Sequence, residues 1–100
     1  MIKHIVFWKL RDDIKGAERE ELLRRMKSGF AALQGKISGL LKIEIGVNFA
    51  DRADAADVSL YSEFDTRASL DGYATHPEHD KMVQIVKPAI SERRVSDYEV

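Results

Sequence analysis

Residues 41–49 read Leu-Lys-Ile-Glu-Ile-Gly-Val-Asn-Phe, and this stretch is the clearest strand of the chain. Apolar residues occupy every second position, and charged, small or polar residues fall between them. Because successive side chains of a strand point to opposite faces, the alternation predicts a half-buried strand over Leu41–Phe49. Gly46 inside this strand indicates a β-bulge or the close approach of another backbone.

Two further elements are predicted on the N-terminal side of this strand. Ile2–Leu10 is rich in β-branched and aromatic residues, which is typical of a strand, and it carries apolar residues on both faces. Apolar residues then recur at spacings of three and four, which predicts a helix over Ala17–Lys36. Gly29 in its interior costs about 1 kcal/mol relative to alanine, which favours a kink or a close packing contact.

On the C-terminal side, a polar loop at Ala50–Ala56 separates the strand Leu41–Phe49 from four more elements. Asp65 and Thr66 are suited to cap a helix, and Thr75-His76-Pro77-Glu78 has the spacing of a capping box with proline in the first turn. Lys87-Pro88 stops the second of these helices. The predicted elements are a strand, two helices and a strand, over Asp57–Phe64, Arg67–Tyr73, Thr75–Val86 and Arg94–Val100.

The resulting order β-α-β-β-α-β is that of the ferredoxin-like split motif. We therefore predict an α+β fold, a single domain over residues 1–100 with a four-stranded antiparallel sheet and its helices on one face. Ile5, Phe7 and Tyr61 fall on the opposite face, which these helices leave uncovered. A second copy of the chain related by a two-fold axis would cover it, so we predict a homodimer.

Composition excludes several classes of function. Apolar residues make up 44% and charged residues 33% of the 100 residues, as in ordinary globular proteins. The 16 Lys+Arg and 17 Asp+Glu give a formal charge of -1, and Arg93-Arg94 is too small a basic patch to indicate nucleic acid. No apolar run approaches the ~18 residues of a membrane span, and the N-terminus does not resemble a signal peptide. With no cysteine in the chain, we expect a cytoplasmic protein.

Three histidines and one tyrosine are the candidates for chemistry. Tyr73 ends one short helix and His79 lies six residues later in the first turn of the next, so both side chains can reach one space between helix and sheet. A phenol that donates and an imidazole that accepts a proton form a plausible acid–base pair, although a core tyrosine with a satisfied hydroxyl fits the same spacing. His4 shares the face of Val6. His76 and His79 resemble only half of a metal site, so neither a metal nor a cofactor is expected.

The chain resembles the stress-responsive α/β-barrel domain family over essentially its whole length. The segments that carry the resemblance are Ile2–Leu10, Gly46-Val47-Asn48, Tyr73-Ala74-Thr75-His76-Pro77-Glu78-His79 and Val95-Ser96-Asp97-Tyr98. The resemblance implies a ferredoxin-like chain that dimerises through its sheet into a closed α+β barrel. Most members have no assigned reaction. In a plant member that is a polyketide cyclase, the catalytic tyrosine and histidine match Tyr73 and His79, and a further active-site histidine matches His4.

These observations predict a pocket between helices and sheet for a small apolar or aromatic ligand. Its expected walls are Val6, Leu23, Met26, Leu60, Met82 and Val83. If the protein is an enzyme, we expect proton transfer at a carbon next to a carbonyl, with His79 as base and Tyr73 stabilising the enolate. The alternatives are a polyketide cyclase-like enzyme, a non-catalytic stress-associated protein with structural histidines, and a haem- or oxygen-using relative of the same architecture. The cyclase has aromatic residues around the first helix where this chain reads Leu22-Leu23-Arg24-Arg25-Met26, so its substrate is not carried over.

Overall fold

The computed structural model describes residues 1–100 as four strands and three α-helices, with a single 3-10 turn at Lys87–Ala89. The strands are β1 (Ile2–Leu10), β2 (Leu40–Val47), β3 (Val58–Phe64) and β4 (Ile90–Glu99). The helices are α1 (Gly16–Ala31), α2 (Arg67–Ala74) and α3 (Pro77–Val86). No helix has the length and apolar character needed to cross a membrane.

All four strands form one antiparallel sheet in the order β2-β3-β1-β4, as the ferredoxin-like prediction required. Val6 of β1 lies at its centre, opposite Leu60 of β3 and Val95 of β4. The helices cover one face, and the apolar core lies between that face and the helices. The core-facing residues of β1 are Ile2, His4, Val6, Trp8 and Leu10, and all five are buried. This face therefore holds both the core and any pocket under the helices.

Helix α1 is shorter than predicted. It ends at Ala31 rather than Lys36, and the chain continues through turns. Gly35 has a φ of 89°, a left-handed conformation that an α-helix does not contain. Leu33 and Ile37 are still buried, but they reach the core from these turns. The apolar spacing therefore gave the correct face and extended the helix too far.

Strand β2 contains a bulge that shifts the predicted pattern. Leu40 lies opposite Phe64 and Lys42 lies opposite Glu63, so Leu41 is the extra residue and its side chain is 49% exposed. The prediction that Leu41 shares the buried face is therefore wrong. The bulge expected at Gly46 is absent, since that residue pairs regularly with Ser59 and has nothing close to it. Phe49 lies beyond the end of the strand and is fully exposed.

The cap of α3 also differs from the prediction. His76, not Thr75, is the N-cap residue, and its Nδ1 accepts a hydrogen bond of 3.1 Å from the backbone N–H of Glu78. The Thr75 hydroxyl donates instead to the carbonyls of Asp71 and Gly72, at 3.5 Å each. Because the hydroxyl is directed back toward α2, the histidine ring takes over the cap. This assigns a structural contact to His76.

Gly29 of α1 packs against the side chain of Met82 in α3. A Cβ atom at this position would overlap the thioether of Met82, so the predicted close packing contact is present.

Strand β4 begins at Ile90, four residues before the predicted start. A second bulge lies where it pairs with β1.

That bulge is centred on Ser91. Lys9 pairs with Glu92 and Leu10 pairs with Ile90, so Ser91 has no partner of its own on β1. Its hydroxyl donates at 3.4 Å toward the carbonyls of both Lys9 and Leu10. These contacts hold the extra residue at the end of the sheet where β4 begins.

Candidate functional site

Tyr73 occupies the last turn of α2 and is directed into the space between helices and sheet. It is 2% exposed, and its ring centroid lies 5.1 Å from that of Phe64 and 5.9 Å from that of His4. Burial raises the pKa of the Tyr73 phenol far above its usual value, and the nearby charge of Arg93 opposes that rise only in part. The phenol therefore stays protonated at neutral pH. Its hydroxyl has no hydrogen-bond partner within the chain and is not a fully buried atom, so it can donate a hydrogen bond to a ligand in the adjoining cavity.

His79 lies in the first turn of α3 and packs on Tyr73, with 4.2 Å between the two ring centroids. Its Nδ1 is 3.4 Å from the carbonyl oxygen of Ala74. Because a carbonyl can only accept, this contact assigns the proton to Nδ1 and leaves Nε2 as the basic nitrogen. Burial is the main cause that lowers the pKa of His79, and the charge of Arg93 acts in the same direction. The ring is therefore neutral and able to accept a proton at neutral pH.

His4 lies on β1, and a residue of the neighbouring edge strand β4 fixes its position. The β1–β4 register places it directly opposite Asp97, and its Nδ1 is hydrogen bonded to the Asp97 carboxylate. His4 is 8% exposed, whereas Asp97 is exposed to solvent. The carboxylate fixes the ring and its tautomer, which leaves Nε2 available on the other side. The sequence did not identify Asp97 as a candidate site residue.

A cavity of about 350 Å³ lies between α1, α3 and the β1–β4 half of the sheet. Apolar side chains form most of its wall, and they are Val6, Trp8, Phe30, Val83, Val86 and Ile90. Its polar wall residues are His4, His79, Lys87 and Arg93. This mixture of apolar wall and a few polar groups is typical of sites for small molecules.

A second cavity of about 300 Å³ adjoins the first under α2. Both cavities share His4, His79 and Arg93, and the second adds Tyr73 and Asp97 to the wall. The three polar residues predicted from the sequence, His4, Tyr73 and His79, therefore meet in the wall of the second cavity. The structure adds Asp97 and Arg93 to them.

The predicted wall residues divide into two groups. Val6 and Val83 line the larger cavity. The other four are buried in the apolar core and do not line it, and they are Leu23, Met26, Leu60 and Met82. The side chain of Met82 packs against Gly29 of α1 instead of bordering the cavity. Trp8 and Phe30 take their place in the wall, with ring centroids 5.7 Å apart.

No group of three or more histidine, aspartate or glutamate side chains lies close enough together to hold a metal ion. His76 and His79 are separated in function, since the first caps α3 and the second packs on Tyr73.

The sheet order, the helices on one face and the cavity beneath them define a ferredoxin-like α+β domain with a candidate small-molecule site. The sequence matches the Stress Responsive A/B Barrel Domain over residues 2–100. The chain belongs to this family. Among curated proteins, none matches the chain.

Solved structures share this fold over nearly the whole chain. A dimeric protein of unknown function with a ferredoxin-like fold from Bacteroides fragilis is 39% identical, with a TM-score of 0.91 over 99% of this chain and 95% of that one. A dimeric ferredoxin-like protein of unknown function from Thermobifida fusca is 19% identical, with a TM-score of 0.83 over 99% and 90% of the two chains. The hydroxynitrile lyase from Passiflora edulis is also 19% identical, with a TM-score of 0.79 over 97% and 90%. The last two show the shared fold alone.

Proposed function

We propose that this protein binds a small, largely apolar ligand in the cavity beneath α3 and transfers a proton at a carbon of that ligand next to a carbonyl. The observation that carries the proposal is the pair of Tyr73 and His79, with ring centroids 4.2 Å apart at the cavity wall. The Tyr73 phenol keeps its proton, and the His79 imidazole is neutral with a free basic nitrogen. A donor and a base side by side are what abstraction of a proton next to a carbonyl requires.

The chemistry assigns one step to each residue. Nε2 of His79 takes the proton from the carbon, and the electron pair of the broken C–H bond moves to the carbonyl oxygen to form an enolate. The Tyr73 hydroxyl donates a hydrogen bond to that oxygen, where the negative charge develops. His79 then exchanges this proton with solvent and returns a solvent-derived proton to the carbon, which completes an exchange. For a cyclisation, the enolate carbon would attack a second carbonyl of the same molecule, and His79 would give its proton to the alkoxide that forms.

His4 and Asp97 are proposed to support this pair. Asp97 orients the His4 ring from the neighbouring strand, so the free nitrogen of His4 offers a fixed polar contact to the ligand. A purely structural role would also use the His4–Asp97 hydrogen bond. It does not use the Tyr73 hydroxyl, which has no partner within the chain and lies accessible at the wall of the second cavity.

The test is carbon–deuterium exchange on 4-phenyl-2-butanone in D2O, followed by loss of the proton signals next to the carbonyl. We expect the wild-type protein to accelerate exchange and His79→Gln to lower that rate by about 10²–10⁴-fold, the usual contribution of a general base. His76→Asn is the matched control, since it also removes an imidazole from α3 while asparagine keeps the N-cap. Exchange at the buffer rate with bound ketone would refute proton transfer and favour a non-catalytic ligand-binding role.

We further propose that the open face of the sheet is covered by a second copy of the chain. Phe7 and Tyr98 are 44% and 43% exposed on this face, and Ile5 and Tyr61 lie beside them. Monomeric proteins rarely leave such a patch uncovered, and a two-fold axis makes one patch cover another. The dimeric state described for the Bacteroides fragilis relative supports this assembly. We expect a total buried area of roughly 1,500 Å² or more.

A further inference from the structure

The wall of the larger cavity carries positive charge, whereas the acids Asp71 and Asp97 line only the adjoining cavity under α2. Its ten wall residues include Arg93 and Lys87, and they include no aspartate or glutamate. Neither cation forms an ion pair elsewhere in the chain, although ten such pairs exist in the structure. Two unpaired cations beside an apolar wall create a positive potential inside the cavity.

Arg93 owes its position to the register of β4. It lies opposite Trp8, on the same side of the sheet as the cavity. The nearest acid on that side of the strand is Asp97, four residues and about 13 Å along the backbone, and it is engaged by His4. The neighbouring Arg94 faces the other way and pairs with Glu92 at 2.7 Å. Arg94 therefore has a carboxylate partner, whereas Arg93, at the cavity, has none.

The charge of Arg93 already acts on the two residues of the proposed acid–base pair. It opposes the rise that burial causes in the pKa of Tyr73, and it adds to the lowering that burial causes in the pKa of His79. A group that disfavours protonated His79 and favours an ionised phenol equally favours a negative charge on a molecule bound between them. The positive field therefore reaches the space where a ligand would lie.

We propose that the ligand is a small keto acid with an apolar or aromatic body, whose carboxylate is bound by Arg93 with Lys87 as the second cation. This inference rests on the proposed function and specifies its substrate class. The planar guanidinium binds a carboxylate through two parallel hydrogen bonds, whereas the lysine supplies a mobile point charge at the same wall. The apolar body lies against Trp8, Phe30 and Val83, and the ketone faces Tyr73 and His79.

The experiment compares two probes that differ only in charge. These are 4-oxo-4-phenylbutanoate and its neutral amide, titrated by calorimetry into the wild-type protein at low salt. We expect the acid to bind more tightly than the amide by about 10- to 100-fold, the range for hydrogen bonds to a charged group. Higher salt should weaken binding of the acid and leave the amide unchanged.

Variants then locate the charge that binds the acid. Arg93→Met keeps the apolar stem and should remove the preference for the acid, whereas Arg93→Lys should restore part of it. Arg94→Met is the matched control and should bind both probes like the wild type. Thermal melts establish that each variant is folded, which is expected because Arg93 is exposed on an edge strand.

The outcomes separate this inference from the function on which it rests. Equal binding of acid and amide to the wild-type protein would overturn the keto acid assignment and leave ligand binding intact. A preference for the acid that survives in Arg93→Met would also overturn it. Binding of neither probe would refute the proposed ligand site, and the substrate class with it.

Discussion

Replacing Tyr73 by phenylalanine separates the hydroxyl of this residue from its ring. The ring is 2% exposed and packs against Phe64 and His79, and phenylalanine keeps all of these contacts. The hydroxyl has no hydrogen-bond partner in the chain, so its removal breaks none. A hydrogen bond in a folded protein contributes about 0.5–1.5 kcal/mol, and we therefore expect Tyr73→Phe to change the free energy of unfolding by less than about 0.5 kcal/mol.

The same change should have a large effect on catalysis. If the hydroxyl stabilises the enolate oxygen, its loss removes one hydrogen-bond donor from the transition state. Loss of one such donor lowers kcat by about 10²–10³-fold in comparable sites. Tyr73→Ala is the contrasting variant, because removal of a buried aromatic ring costs about 3–5 kcal/mol.

Thermal melts and deuterium exchange on 4-phenyl-2-butanone test the two effects on the same samples. For a domain of this size, 1 kcal/mol corresponds to a shift in Tm of about 4–8 °C. Tyr73→Phe should therefore melt within about 3 °C of the wild type, whereas Tyr73→Ala should melt more than about 10 °C lower. A Tm lowered by about 5 °C or more in Tyr73→Phe would show that the hydroxyl has a structural partner. Unchanged exchange would show that it is not the donor to the ligand.

Three further predictions concern acid stability, backbone strain and assembly. Because the folded-state pKa of His79 is lowered below its usual 6.5, the unfolded chain binds more protons in acid. Stability should therefore fall as the pH drops below about 6.5, and urea titrations of His79→Gln should show a shallower loss. Gly39 has a φ of 81° and its Cβ position is filled by the side chains of Ser69 and Asp65, so Gly39→Ala should lose about 2–4 kcal/mol. Gly16→Ala, at a φ of 57° with open space, should lose only about 1 kcal/mol, and equal losses by urea titration would contradict the steric argument. Phe7→Asp should shift sedimentation from a dimer toward the 11.4 kDa chain, and a wild-type monomer at micromolar concentration would contradict the sheet-to-sheet dimer.

Local patterns predicted the elements of the fold better than their ends. The bounds of Ile2–Leu10 agree with β1, because a central strand with apolar residues along its length has no competing pattern. The prediction for β2 put Leu41 on the buried face, because a one-residue bulge does not change the alternation that precedes and follows it. β4 was predicted to start four residues late, since its polar, exposed residues give an edge strand no apolar face to recognise.

The candidate site was predictable only where its residues are neighbours in sequence. Tyr73 and His79 are six residues apart, and one turn between helices brings them together. His4 and Asp97 are 93 residues apart and meet through the β1–β4 register, which no local pattern specifies. Arg93 lay just before the predicted strand Arg94–Val100 and was noted only as part of a small basic patch, and its side of the sheet depends on the same register.

The apolar stripe of α1 explains why the predicted walls were partly misplaced. A helical stripe identifies which side chains point inward, and Leu23 and Met26 do so. It does not distinguish a side chain that meets another side chain from one that borders a cavity. That distinction depends on the side chains of neighbouring elements, as at Gly29, where the thioether of Met82 fills the space beside α1.

The bulge at Ser91 decides which side chains of β4 face the cavity. If Ser91 paired with Lys9 instead of bulging, each later residue of β4 would move by one position against β1, and a shift of one position exchanges the two faces of a strand. Ser96 rather than Asp97 would then lie opposite His4, and Arg94 rather than Arg93 would face the cavity. The polar half of this site therefore depends on one residue that contributes no side chain to it, and an unchanged set of side chains would form a different site in the regular register.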